Sequence, residues 1–401
     1  MSTTSIHRAL CVAFIMLALA LAGGCAHSGD RGSASTSTAP GASPWALPTS
    51  TMRWNEHASD LIATNKIGQF PSARTLAYMN LAINNAIVEA QRQGRKPDGA
   101  AAGAAATVLA FVFPKDEPAI SRRLAGETAA LGADARADFA AGVEIGRSAA
   151  AAVIAAAKDD RAGQPWTGSV PTGPDKWSSR AQPPQPPLGP GLGQMRPFFM
   201  TTGSEFRPAG PPASDSPQFK SALAEVRSVA DTRTSEQLRI AQYWENLTGA
   251  FAAGLWNEVA RNAISSRGVS EPQSARILAM MHMVGVDAFI ACHDAKYVYW
   301  VPRPTQIDPE IRLAIGVPNH PSYPSNHACV SGAMGLVLDG FFPEQGGRYF
   351  AMGRQAGESR VYAGIHYRFD LDDGYLIARK LSARAFEVGI PSDRPFTPRG
   401  R

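Results

Sequence analysis

The chain has 401 residues, 44% of them hydrophobic and 18% charged, with a formal net charge of +5. That length supports a substantial core in one or two domains, and the composition excludes an intrinsically disordered chain. The basic residues are scattered arginines rather than a Lys/Arg run, so the positive balance points to a solvated surface with one local anion site and not to nucleic acid.

Residues 1–24 read as a secretory signal. Arg8 precedes an apolar run from Ala9 to Ala22, too short to span a bilayer, and small residues follow it. "LAGGC", ending at Cys25, resembles a bacterial lipobox, in which the cysteine is lipidated and becomes the new N-terminus. Ala22 stands where leucine is usual, and "ALA" at 20–22 offers ordinary cleavage instead. Either route exports the protein to the bacterial periplasm; the first also attaches it to a membrane through Cys25. Residues 25–50 form a Ser/Gly/Ala/Pro tether without a core-forming pattern. With Cys11 inside the signal and Cys25 lipidated, Cys292 and Cys329 remain, as one disulfide or as two buried thiols. No CxxC or Cys/His spacing suggests zinc.

The pattern turns helical at about residue 71, where Leu76, Met79, Ile83, Ile87 and Ala90 recur at three- and four-residue steps and Gly94 supplies a stop. Alanine-rich segments at 100–112 and 134–158 predict close-packed helices. Residues 160–215, rich in Pro and Gly, read as a long ordered excursion over a helical body rather than as an interdomain linker. Ser216-Pro217 caps the next helix and Thr234-x-x-Gln237 is a capping box. A long buried helix follows from Glu271, ending near Lys296. Further helices are expected at Ser325 to about Leu338, about 347 to 361, and Asp370 to about Val388. No Val/Ile/Thr alternation of useful length occurs, so the fold class is all-α: one helical domain over 51–390 with a tail at 391–401.

Polar residues in apolar surroundings concentrate in three late segments. In "KYVYWVPRP", Pro302 and Pro304 disfavour helix and turn Arg303 back towards Lys296. In "YPSNH", Ser325 caps a helix whose first N–H groups, at Asn326 and His327, are free to face an anion. "SRVYAGIHYRFD" contributes Arg360, His366 and Asp370. Three cations, a hydroxyl and a helix N-terminus suit an oxyanion such as phosphate. Two histidines and an aspartate supply a nucleophile, a general acid and an orienting carboxylate. His282 and His293, on the helix before Lys296, read as buried structural histidines.

K-x6-R-P, then P-S-G-H, then S-R-x5-H-x3-D is the tripartite signature of the type 2 phosphatidic acid phosphatase and vanadium-dependent haloperoxidase superfamily. This chain resembles it at Lys296…Arg303-Pro304, Pro324-Ser325-Asn326-His327 and Ser359-Arg360…His366…Asp370, within residues 296–370. Upstream, "ARTLAYMNLAINNAI" and "RTSEQLRIAQYWENLTG" look like the helical lead-in of the larger haloperoxidase-like members. The resemblance implies a helical bundle of that type. One position departs: Asn326 replaces the family's glycine, keeping the backbone donor but narrowing the pocket if the glycine makes room for substrate.

Carried over, the resemblance implies that His366 attacks phosphorus and forms a phosphohistidine, with Asp370 orienting it. His327 would protonate the leaving oxygen and then activate water, while Lys296, Arg303, Ser325, Asn326 and Arg360 would hold the oxyanion. That chemistry, on a small phosphorylated substrate, requires no metal. In haloperoxidase members the same cradle holds vanadate bound through the residue matching His366. His320 matches the position where bromide-oxidising members have histidine, although Pro302 stands where such chains have tryptophan before Arg303. The resulting expectation is a metal-independent phosphatase. The alternatives are a vanadium-dependent bromide- or iodide-oxidising peroxidase and a non-catalytic phosphate- or phospholipid-binding lipoprotein.

Overall fold

The computed structural model describes residues 48–245 and 251–400, which lie in one compact unit. The signal, Cys25 and all but the last residues of the tether fall outside the described residues. Thirteen α-helices run in chain order: α1 (Ser50–Asn65), α2 (Gln69–Arg92), α3 (Pro97–Val112), α4 (Glu117–Ala129), α5 (Ala133–Lys158), α6 (Pro217–Thr232), α7 (Ser235–Tyr243), α8 (Phe251–Ser265), α9 (Glu271–Tyr299), α10 (Pro304–Ile307), α11 (Asn326–Phe341), α12 (Arg348–Tyr362) and α13 (Arg368–Val388). No strand occurs among the described residues, and the all-α expectation holds.

The core follows from two helices that are buried on nearly every side. Almost every residue of α2 from Ser72 to Ala90 is buried, as is α9 from Ala275 to Lys296 but for a few positions, so each needs neighbours all round. α2 packs on α3, α5 and α9; α9 packs in turn on α11, α13 and α8. This arrangement fixes the last turn of α9, and Lys296 with it, at the centre of the molecule.

α3 and α5 approach through glycines spaced a helical turn apart. A Cβ on Gly103 would lie 2.4 Å from the Val143 carbonyl oxygen, and one on Gly146 would lie 2.4 Å from that of Ala100. These contacts are backbone on both sides and cannot yield, so Gly146→Val should lower stability by about 1–3 kcal/mol. Gly126→Ala in α4, where a Cβ meets nothing within 4 Å, should be neutral or stabilising. Thermal unfolding of both variants checks this, and equal melting temperatures would contradict it.

Ser216 accepts from the Phe219 amide and Thr234 forms its capping box with Gln237, as expected. Four helices go beyond the sequence reading: α1, which begins at Ser50 inside the stretch read as tether, and also α4, α8 and the short α10. α4 buries only Ile120 and Leu124, too few to mark a period. Between α5 and α6 the only regular turn is a 3-10 helix at Leu192–Gln194. This strap is tied down at several points. Trp177 N–H donates to the Trp300 carbonyl (2.7 Å), and Leu188 N–H to that of Asn319 (2.8 Å). The amides of Phe198 and Phe199 both donate to buried Asp287 at 2.7 Å. The last residues are also held, since Asn85 and the backbone of Phe396 exchange two hydrogen bonds.

Candidate active site

α9 ends because Trp300 adopts a left-handed conformation (φ 56°), its amide still bonded to the Lys296 carbonyl. The chain then runs extended to Arg303. Pro304 does not stop helix formation here; it takes the first position of the short helix α10, where its fixed φ fits and its missing N–H is not needed. Arg303 is fully buried and points into the site, its guanidinium spanning two imidazoles. NH1 donates to His366 Nε2 (2.9 Å) and to the Ile365 carbonyl (2.8 Å), and NH2 donates to His320 Nδ1 (3.0 Å).

Lys296 is also fully buried, but its Nζ donates to the carbonyls of Pro321, Ser322 and Pro324. All three ammonium donors are thus used on the turn before α11. Lys296 shapes that turn and lends it positive charge; contact with an anion would take one donor from a carbonyl. Burial lowers its pKa.

Ser325 occupies the cap position of α11, yet its hydroxyl makes no capping bond. Instead Ser325 Oγ and Asn326 Oδ1 are buried polar atoms without a protein partner. In a native interior such atoms are satisfied by ordered water, an ion or a ligand. A hydroxyl, a carboxamide whose ends can exchange by a half turn, and the free N–H groups of a helix start suit a tetrahedral oxyanion. Asn326 therefore keeps the backbone donor and also puts its side chain into the cavity wall.

On the third segment, His366 Nδ1 lies 2.7 Å from Asp370 Oδ2. The same carboxylate oxygen accepts from Ser322 Oγ (2.6 Å) and from the Tyr367 amide (3.1 Å). α13 begins at Arg368, two residues earlier than expected, so Asp370 sits in its first turn with its backbone carbonyl accepting from the Ser325 amide (2.9 Å). The carboxylate can only accept and Arg303 can only donate. His366 must therefore carry its hydrogen on Nδ1 and a lone pair on Nε2. Ser322 was not legible as a site residue, because one serine in a Pro-rich turn has no spacing signal. Asp373 accepts from the Tyr323 hydroxyl at 2.6 Å and pins the turn to α13.

His327, on the first turn of α11, donates from Nε2 to the Trp244 carbonyl (2.9 Å), which leaves Nδ1 to give or take a proton. Burial, then the Arg360 charge, depress its pKa to about 3. Arg360 donates to the Ala241 carbonyl (2.8 Å) and pairs with Glu245 (3.0 Å), and burial lowers it to about 10. Glu245 escaped the sequence reading because it lies more than a hundred residues before Arg360, outside the signature.

Arg360, His366, His327, Asn326 and His320 line a cavity of ≈ 440 Å³; Lys296, Arg303 and Ser325 do not line it, and Arg303 lines a separate pocket with Trp177, Arg180 and Asn319. Phe70, Phe289 and Trp244 form apolar walls, Glu245 stands at the rim, and the strap adds Leu188, Gly189 and Leu192. His293, buried and with Nδ1 3.0 Å from the Phe289 carbonyl, also lines it; His282 is enclosed, with Nε2 against Asn257 at 3.0 Å. Cys292 and Cys329 are free buried thiols.

Burial depresses His282, His293 and His327 to about 3 each, and pushes His320 and His366 well below 6.5. The unfolded chain takes up these protons near pH 6.5, and the native state refuses them. Stability is therefore fully present above pH 6.5 and lost as pH falls towards 3, by about 2 kcal/mol per histidine at pH 5. Burial raises Asp287 to about 7 and raises Asp370 too, which opposes the loss with fewer groups. The melting temperature should fall between pH 7 and pH 5; a flat profile would contradict these environments.

Residues 276–386 match the family model described as PAP2 superfamily. No curated protein matches the chain by sequence. Among solved structures the chain is similar to a bacterial vanadium-dependent iodoperoxidase, with a TM-score of 0.73 and 21% identity over 84% of this chain and 95% of that one. It is also similar to a bacterial vanadium-dependent chloroperoxidase in its apo form (TM-score 0.64, 16% identity, 80% and 94% covered) and in its holo form (0.64, 17%, 86% and 96%). The PAP2 superfamily match over residues 276–386 thus takes in the whole Lys296–Asp370 constellation, and the chain shares its all-α fold with vanadium-dependent haloperoxidases.

Proposed function

We propose that the protein is a phosphatase that hydrolyses phosphomonoesters through a phosphohistidine at His366. The observation that supports this reading is the hydrogen placement on His366: Asp370 holds Nδ1–H, so Nε2 carries the lone pair beside a cavity with room for an organic phosphate ester, and attack requires Arg303 NH1, which donates to Nε2 at 2.9 Å, to pass its hydrogen bond to the substrate. Nε2 attacks phosphorus as the ester P–O bond breaks, and the leaving oxygen takes a proton from His327 Nδ1. In the second step His327 Nδ1 accepts a proton from water, the water oxygen bonds to phosphorus, and the P–N bond breaks to release inorganic phosphate. Arg303, Arg360, Ser325 and Asn326 hold the equatorial oxygens as charge builds, with Lys296 contributing from behind the turn. The leader sequence further supports an exported enzyme, attached to a membrane if Cys25 is lipidated.

The shared fold favours a second reading, a vanadium-dependent haloperoxidase. The unpartnered Ser325 and Asn326 atoms, with the His366 Nε2 lone pair, fit vanadate as well as phosphate. Bound vanadate would supply the centre at which hydrogen peroxide oxidises halide. His366 would hold it, Arg303 and Arg360 would neutralise it, and His327 would move the proton.

The two readings separate in one assay: p-nitrophenyl phosphate hydrolysis and peroxide-dependent bromide and iodide oxidation by purified protein, each with and without vanadate. The phosphatase reading expects hydrolysis without added metal and inhibition by vanadate. Halide oxidation that requires vanadate, with no hydrolysis, would establish the second reading instead.

A further inference from the structure

The cavity is lined by two side chains of opposite charge, Arg360 and Glu245, which meet at 3.0 Å. Among the described residues Glu245 is the only acidic side chain on the cavity wall. Arg360 is buried, whereas Glu245 is exposed. Glu245 Oε2 accepts from Arg360 NH1, and among the described residues Oε1 has no protein hydrogen-bond partner. A wall that served only an anion would gain nothing from this carboxylate, which repels a phosphoryl group and competes for the guanidinium. Nor does fixing Arg360 call for it. Ser359 Oγ (2.9 Å) and the Ala241 carbonyl (2.8 Å) already hold the other two guanidinium nitrogens.

The place of Glu245 in the reaction follows from His327. The leaving oxygen must meet His327 Nδ1 to take its proton, and the other nitrogen of that ring is held by the Trp244 carbonyl at 2.9 Å. Glu245 is the next residue in the chain, and its carboxylate is bonded to a guanidinium of the phosphoryl cradle. It is thus tied on one side to the proton donor and on the other to the cradle, which is where the leaving group departs. One hydrogen bond separates the carboxylate from Arg360, so a group about two carbons beyond the ester oxygen comes within its reach.

We infer that Glu245 forms a subsite for a cation on the leaving group, with the phosphoryl group on Arg360 and the start of α11 and an ammonium group on the Glu245 carboxylate. The substrate class is accordingly a short alkyl phosphomonoester that carries an ammonium group. Its two charges match the two that line the cavity, whereas a second acidic group at the same place would be repelled. This inference rests on the phosphatase reading for the leaving-group side, but its recognition step can be measured without turnover.

The test uses 3-aminopropylphosphonate, butylphosphonate and 3-phosphonopropanoate, whose P–C bonds resist hydrolysis, with equilibrium binding to the wild-type protein measured by calorimetry at neutral pH. The ammonium ligand should bind about fivefold more tightly than butylphosphonate, and the carboxylate ligand most weakly. The spread should narrow with added salt. Glu245→Gln keeps an acceptor for Arg360 and loses the charge, so it should bring the ammonium and alkyl ligands within about twofold of each other. Equal affinities in the wild type, no binding of the ammonium ligand, or a preference that survives Glu245→Gln would overturn the subsite. So would a variant that shifts all three affinities alike, since Glu245 would then act only through Arg360. Separately, absence of hydrolysis of 2-aminoethyl phosphate and propyl phosphate by the wild-type enzyme would overturn the phosphatase reading, while the phosphonate affinities still decide the subsite.

Discussion

His366→Ala should leave no turnover of any phosphomonoester and no covalent phosphoenzyme, because it removes the imidazole whose hydrogen is held on Nδ1 by a carboxylate and whose Nε2 lone pair lies against the Arg303 guanidinium at the site. His327→Ala should behave differently. It removes the proton donor, so p-nitrophenyl phosphate, whose leaving group needs little protonation, should lose less rate than alkyl phosphates. General acid catalysis contributes about 10²–10⁴-fold, and the alkyl esters should show the larger part of that range. Since His327 is depressed to about 3 in the free protein, its acid form gains population as pH falls, and wild-type kcat/KM for alkyl phosphates should rise towards acid pH. The same fall in pH weakens the fold, so the usable range is bounded below by stability. Steady-state rates of both variants on both ester types, from pH 4 to pH 8, check these statements. Full turnover in His366→Ala would refute the nucleophile assignment.

Arg303→Ala should have the next largest effect. The guanidinium is the one group that touches both His366 and His320, and burial lowers its pKa only to about 10, so it stays charged at neutral pH. Its loss should cost about 2–4 kcal/mol of transition-state stabilisation, seen as a fall in kcat/KM of roughly 30- to 1,000-fold. Arg360→Ala should fall in the same range but lower, because Arg360 already spends part of its charge on Glu245. Circular dichroism should show native helix content in both. Equal kcat/KM for wild type and both variants would place the chemistry elsewhere in the molecule.

The fold and the reacting groups were legible in the sequence to different depths. α2 and α9 announce themselves because burial on all sides writes a long apolar text, and the signature brings His366, His327 and Asp370 together because its spacings are local. α1 and α4 were missed because each is buried along only part of its surface. The sequence placed Lys296 against the anion, whereas its donors go to three carbonyls of the preceding turn, a consequence of backbone path that no spacing encodes. Ser325 read as a cap and is an unpartnered hydroxyl instead. Ser322 and Glu245 join the site through contacts that local pattern does not reveal. His293 reads as structural and is buried; that it also lines a cavity shows only where the strap folds over it.

The most direct measurement of the central claim is chemical trapping of the intermediate. Wild-type enzyme and the His327→Ala variant are mixed with p-nitrophenyl phosphate, quenched in alkaline denaturant and digested, and the phosphorylated peptide is located by mass spectrometry. The account predicts phosphate on His366, stable to base and lost in acid, with more of it in His327→Ala because water activation is slowed. Phosphate on a serine such as Ser325, or turnover with no phosphorylated residue at any time point, would contradict it.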